Sequence, residues 1–283
     1  MAAKRKPTIR AVWLGQELRK MRDEADLTVR ELASMLHMNQ ATISKLENGV
    51  YPASPDHVES YMRICGVDDG KRREDVFTIC DDVLRKGWWD GYANELAAEL
   101  MDRIWLESKT VHIDVFEPIV IPGLLQTSGY ARAVMRAIQP DASDEALEHW
   151  QEVRTNRQLV IARHEPITFR AIIDQSALRR AMVDESAGLP QLKFLAEAAQ
   201  RPNIELRILP DEVGLHASMS GSFEVLTLAK PYPEAGLLNT PAGEVCVEGE
   251  TIEKLKQTYD RLLDASLDPE ASRKLIIAEV DQQ

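Results

Sequence analysis

The chain has 283 residues, 44% of them hydrophobic, and a formal net charge of −12. That length suggests about two domains, each able to bury a core, and no apolar stretch approaches the length of a membrane span. Cys65, Cys80 and Cys246 are widely spaced, fit neither a disulfide frame nor a zinc site, and point to reduced thiols in a cytoplasmic protein.

The charge is unevenly divided. Residues 1–64 carry 10 Lys and Arg against 8 Asp and Glu, a net of +2, and the remaining 219 carry 24 against 38, a net of −14. Within residues 1–22, Lys4, Arg5, Lys6, Arg10, Arg19, Lys20 and Arg22 face only Glu17. Basic charge so placed can displace counterions from a phosphate backbone. The acidic remainder faces away from nucleic acid or toward a basic partner, or is ordinary acidic solubility.

Residues 1–9 read as a basic arm that tracks phosphate or enters a minor groove, or as a disordered tail. A first helix spans about 10–25, with Val12, Leu14, Leu18 and Met21 as its apolar positions. The stretch 27–49, LTVRELASMLHMNQATISKLENG, then reads as two short helices joined by a tight turn. Thr28 and Glu31 have capping-box spacing, and Leu32, Ala33 and Leu36 form an apolar face. Residues 37–39 make the turn, and Asn39 can cap the second helix. There Ile43, Leu46 and Glu47 point inward. Ala41, Ser44, Lys45 and Asn48 point outward, with Gln40 at the leading end, and Asn48-Gly49 supplies a left-handed stop. Gln can bond adenine, Lys can bond guanine acceptors, and Ala or a Thr methyl can touch the thymine methyl. Gln40, Ala41, Thr42, Ser44 and Lys45 are therefore the expected base readers. Lys4, Arg5, Lys6, Arg10, Arg19, Thr28, Arg30 and Asn48 are the expected phosphate contacts. An ordinary helical hairpin is the alternative. An inward Glu47 needs a partner.

Pro52 and Pro55 break the chain, and Asp56 is expected to cap a helix over 56–65. Another helix, over 68–86, is either the fifth of the first domain or a connector. Gly87-Trp88-Trp89-Asp90-Gly91-Tyr92 reads as junction packing, with a ligand cage or a base stacker as the alternative. A helix over 93–108 precedes an alternating strand over 111–116. Pro122-Gly123 marks a turn, and Thr127 or Ser128 caps a helix containing Tyr130, Arg132 and Met135. Helices follow at 142–164, 177–182 and 189–200. Strands fall at 167–174, 204–209 and 223–228, with weaker ones at 237–239 and 245–247. Helices at 251–266 and 269–280 finish the chain. The expected architecture is multidomain: an all-α helix-turn-helix domain with its basic arm (1–67), a connecting helix and junction (68–92), and an α+β domain (93–283). Strands and helices mixed without strict alternation argue for a mostly antiparallel sheet.

Residues 12–65 resemble the lambda-repressor-like, xenobiotic-response-element family of helix-turn-helix domains. The resemblance implies that the start of the third helix, Gln40, Ala41, Thr42 and Lys45, reads bases, and that Arg22 pairs with Glu47. Many relatives carry basic residues just after the glycine; Val50-Tyr51-Pro52-Ala53-Ser54 has none. From about Gly87 the chain resembles the domain of unknown function that follows the helix-turn-helix in actinobacterial WhiJ-like and antitoxin-like regulators. The matching pieces include Gly87-Trp88-Trp89, Trp105-Leu106-Glu107, residues 122–127 with Tyr130, residues 177–180, Gly221-Ser222-Phe223 and residues 259–262. Gln175 departs from the Glu of many relatives, and 236–248 matches poorly. The resemblance implies a transcription regulator that binds double-stranded DNA as a homodimer and also binds a small partner protein encoded nearby. A small-molecule effector held by the α+β domain is the alternative.

No catalytic constellation emerges. The six His form no metal-ligand spacing, and neither a phosphate loop, a dinucleotide glycine pattern nor a nucleophile elbow is present. His112 and Asp114 share a strand face but lack a third ligand, so they read as a surface pair. His216, in a glycine-flanked loop, is the one position singled out for a ligand. The expectation is a non-enzyme with no metal, no cofactor and no membrane association.

Overall fold

The computed structural model describes residues 6–92 and 96–281. The chain divides into two compact units, Met1–Trp105 with Lys230–Tyr232, and Leu106–Ala229 with Pro233–Gln283.

The first unit is helical: α1 (Ile9–Glu24), α2 (Val29–Met35), α3 (Gln40–Glu47), α4 (Pro55–Ile64), α5 (Gly70–Leu84) and the start of α6 (Ala98–Lys109). Its core gathers Trp13, Leu14, Leu18 and Met21 of α1 with Leu32, Ile43, Leu46, Val58, Tyr61, Met62, Val76 and Ile79. Full burial of each large aliphatic side chain contributes roughly 1.5–3 kcal/mol. α5 packs on α1 and α4, so the compact unit continues well past residue 67. The cap of α4 is Ser54, not Asp56: its hydroxyl accepts from His57 N, His57 Nδ1 accepts from Ser54 N, and Pro55 takes the first helical position, where a missing N–H costs nothing. The Trp-Trp segment forms a 3-10 turn, Trp88–Tyr92, with Trp89 buried and Trp88 half-exposed. The helix expected from residue 93 begins at Ala98, and 93–95 lie outside the described residues. Tyr232 packs against Trp13 and Trp105, with ring centroids 5.8 and 5.1 Å away, and its hydroxyl donates to the buried Asp82 carboxylate.

The second unit holds β1 (Thr110–Glu117), α7 (Ser128–Ile138), α8 (Asp144–Gln158), β2 (Thr168–Asp174), α9 (Gln175–Ala181), α10 (Glu185–Ala198), β3 (Ile204–Leu209), β4 (Phe223–Leu228), β5 (Ala235–Thr240), β6 (Gly243–Val247), α11 (Glu250–Ala265) and α12 (Pro269–Asp281). The six strands form one sheet in the order β3-β2-β1-β4-β5-β6. β1–β2 and β2–β3 are parallel, and the other three pairings are antiparallel, so the sheet is mixed. The α7–α8 and α9–α10 pairs are the crossovers that parallel neighbours need.

α11 covers one face, where Ile252, Tyr259 and Leu262 pack on Phe116, Ile172, Leu209, Phe223 and Val225. The free edge of β3 is sealed at Ile208, whose N–H donates to Ser272 Oγ and whose carbonyl accepts from Leu267 N, both at 2.9 Å. A buried ion pair joins Arg157 of α8 to Glu107 of α6, Nη2 to Oε1 at 2.6 Å and Nε to Oε2 at 2.9 Å. Among the described residues no helix is long and apolar enough to cross a membrane.

Candidate nucleic-acid interface

The helix-turn-helix is assembled by local bonds before any packing is counted. Thr28 and Glu31 form the capping box of α2: Glu31 N donates to Thr28 Oγ1 at 3.2 Å, and Thr28 N donates to Glu31 Oε2 at 2.8 Å. The Thr28 hydroxyl also donates to Glu31 Oε2, at 2.7 Å, and that bond, followed by the one from Thr28 N, holds the Glu31 carboxyl below the usual carboxylate range. His37 takes a left-handed φ of 54° at the turn, and Met38 N closes it on Ala33 O at 2.8 Å. Asn39 Oδ1 then accepts from Thr42 N at 2.7 Å, capping α3.

α3 is seated from below by α1. A Cβ at Gly15 would stand 2.6 Å from Glu47 O, and one at Gly49 would stand 2.6 Å from Ala11 O, so the two glycines set how closely the helices approach. Arg22 clamps the seat: Nε donates to Glu47 Oε1 at 2.7 Å, Nη2 to Oε2 at 3.0 Å, and Nη1 to Leu27 O at 2.9 Å. The pair is buried, and the Glu47 hydrogen bond pushes the Arg22 guanidinium further up. Tyr61 also lies beneath α3, its hydroxyl buried near the Glu47 carboxylate. Burial, then the Glu47 charge, push that phenol upward.

What remains outward is the expected face. Gln40, Ala41, Ser44, Lys45 and Asn48 are exposed, while Ile43, Leu46 and Glu47 are buried. Thr42 is half-buried and gives its hydroxyl proton to Asn39 Oδ1 at 2.9 Å, so it can offer mainly its methyl to a base. Asn48 Nδ2 donates to Ser44 O at 2.7 Å, and Asn48 Oδ1 accepts from Arg19 Nη2 at 3.0 Å. Arg19 thereby stands beside the end of α3, half-exposed and positive.

The phosphate set divides. Arg30 and Thr28 are exposed at the start of α2. Lys6 is exposed and pairs with Glu99 at 3.2 Å. Lys4 and Arg5 lie outside the described residues. Arg10 departs from the expectation: it is only 8% exposed, and its Nη1 donates to Arg85 O at 3.3 Å. Its position on the inner side of α1 turns its charge into the unit. One group that composition does not flag joins the surface. The ring of Tyr51, half-exposed in the loop after Gly49, lies 5.0 Å from Lys45 Nζ.

The other positions singled out lie in the second unit. His216 Nδ1 accepts from Ser218 N at 3.2 Å, and its ring packs edge-on against Phe116, so the side chain serves its own loop. His112 Nε2 and Asp114 Oδ1 are 2.8 Å apart, and Arg170 bonds both Asp114 oxygens at 2.6 and 2.8 Å. Among the described residues no group of three or more His, Cys, Asp and Glu could hold a metal ion. Gln175 keeps polar contacts, accepting from Asp211 N at 3.2 Å and donating to Glu279 at 3.4 Å.

Comparison with known families agrees with this geometry. A helix-turn-helix domain model matches residues 13–74, and a model described as domain of unknown function DUF5753 matches residues 100–278. No curated protein and no solved structure matches the chain. The first unit therefore carries a helix-turn-helix of a DNA-binding regulator, and the chain, matched over more than half its length, belongs to the DUF5753 family.

Proposed function

We propose that the chain is a sequence-specific transcription regulator, cytoplasmic and without catalytic activity, of the lambda-repressor-like type. The observation that carries this is the outward face of α3. Gln40, Ala41, Ser44 and Lys45 are exposed together on a helix whose opposite side is locked by the buried Arg22–Glu47 pair. A rigidly seated helix bearing an amide and an ammonium fits the major groove, where such groups discriminate base pairs. Thr28, Arg30, Arg19, Asn48 and Lys6 serve as phosphate contacts, with Lys4 and Arg5 of the basic N-terminal stretch.

The regulator binds as a homodimer, with two copies of α3 in successive major grooves and half-sites about 34 Å apart or a multiple of that. The second unit binds a small partner protein encoded nearby, as in the WhiJ-like and antitoxin-like regulators, and binding changes DNA affinity. The second unit's net charge of −11, from 17 Lys and Arg against 28 Asp and Glu, supports a basic protein partner. Footprinting of the DNA upstream of the gene, with and without the neighbouring gene product, tests this. The expected result is a two-fold symmetric footprint that the neighbour's product strengthens or removes. A footprint indifferent to that protein, and altered by a small molecule that co-purifies with the chain, would replace the partner with an effector.

A further inference from the structure

We propose that Tyr51 is a positioning residue of the DNA-reading surface: its ring orients Lys45 for base contact, and its hydroxyl donates to a backbone phosphate. The inference rests on the reading of α3 as the base-reading helix, and it accounts for a loop that lacks basic residues.

The loop is not loosely attached. Val50 N and Tyr51 N both donate to Lys45 O, at 2.9 and 3.2 Å, so the chain after the Gly49 stop folds back onto the last turn of α3. That bond pattern fixes the Tyr51 backbone relative to Lys45. The ring then meets Lys45 Nζ at 5.0 Å from its centroid, within the range of a cation–π contact. Tyr51 is 51% exposed, so the core does not claim the ring. A lysine side chain has many rotamers, and binding must select among them. One that already rests on a ring loses less freedom when it reaches a base. An ammonium carries three donors, and a ring face engages only one side of it, which leaves donors for guanine acceptors. The phenol O–H is a neutral donor of a kind that commonly contacts phosphate oxygens. Because it is uncharged, it anchors without releasing a counterion.

The test uses the full chain and the duplex it selects from a random pool. Tyr51→Phe, Tyr51→Ala, Lys45→Ala and the double alanine variant are titrated against that duplex and against every single-base-pair substitution of it, over a range of salt. Tyr51→Phe should weaken binding about tenfold on every sequence, as expected for one hydrogen bond from a neutral donor to an ionised acceptor, with the salt slope unchanged. Tyr51→Ala should also lose discrimination at the base pair where Lys45→Ala loses it. The double variant should discriminate there no worse than Lys45→Ala alone. A Tyr51→Ala protein that keeps full discrimination where Lys45→Ala does not would overturn the inference and leave the α3 reading standing. Lys45→Ala binding every duplex like the parent chain would overturn both. Tyr51→Phe with parental affinity would remove the phosphate contact. Unchanged circular dichroism of the variants confirms that the fold is intact.

Discussion

Gly15→Ala puts the seating of α3 to a quantitative test. Gly15 lies inside α1, where replacing glycine by alanine ordinarily stabilises a helix by about 0.5–1 kcal/mol. Here the added Cβ would stand 2.6 Å from Glu47 O and 2.8 Å from both Glu47 C and Leu46 O. All three obstacles are backbone, so no side chain can swing away, and α1 or the end of α3 must shift. Overpacking of that kind costs about 1–3 kcal/mol. The steric cost exceeds the gain in helix propensity, and the expected net is a destabilisation of roughly 1–2 kcal/mol. The displaced backbone belongs to α3, so DNA affinity should fall along with stability. Gly70→Ala is the control in the same unit: it also lies in a helix, and its Cβ would meet nothing within 4 Å. Urea unfolding of both variants, followed by titration with the selected duplex, reads the difference. Gly70→Ala should equal or exceed the parent chain, and Gly15→Ala should fall below it in both assays. A Gly15→Ala protein as stable as the parent, with undiminished affinity, would refute the close-packed seat.

Arg22→Met removes the bidentate partner of the buried Glu47 carboxylate and leaves it only the half-exposed Arg19, 3.5 Å away, so the cost in urea unfolding should be about 3 kcal/mol, the low end for a broken buried pair. Replacing both residues by apolar ones should recover most of that loss while changing DNA binding, because Arg22 also ties down Leu27 O. Acid should act on the second unit through Asp114. Burial opposes that carboxylate, but the hydrogen bonds from His112 and Arg170 outweigh it and hold its pKa below the ordinary aspartate value. A depressed pKa gives stability that is fully present above the unfolded value, about 3.9, and is lost as pH falls through the folded one. Asp114→Asn should therefore flatten stability against pH below about 4, measured by unfolding at a series of pH values. Arg30→Ala should lower the slope of log affinity against log salt by about 0.9 with no change in base preference, as read from duplex titrations.

Much of the first unit is legible in the sequence because its signals are local. The Thr28–Glu31 box, the Asn39 cap and the Asn48-Gly49 stop each act over three or four residues, and each forms as its spacing implies. The cap of α4 is ambiguous in the sequence because Ser54 and Asp56 are both good caps, and only Pro55 at the first helical position decides between them. In the second unit the strands are visible in the sequence, β1 through its alternation, but their pairing is not. β1 lies beside β2 through α7 and α8, and no residue in either strand announces a parallel neighbour. Arg10 shows the limit of counting charge: a basic residue on a basic helix is still placed by which side of the helix it occupies. Tyr51 escapes notice for the converse reason, since a search for positive charge in the loop does not register a ring that holds a lysine from another element.

The most direct test of base reading by α3 is selection of duplexes from a random pool by the parent chain, Gln40→Ala and Lys45→Ala. Each alanine variant should select the parent motif with one or two positions degraded, a different set for each, at a loss of about 1–3 kcal/mol per contact. Identical motifs from all three proteins, or no enrichment by any of them, would contradict the account.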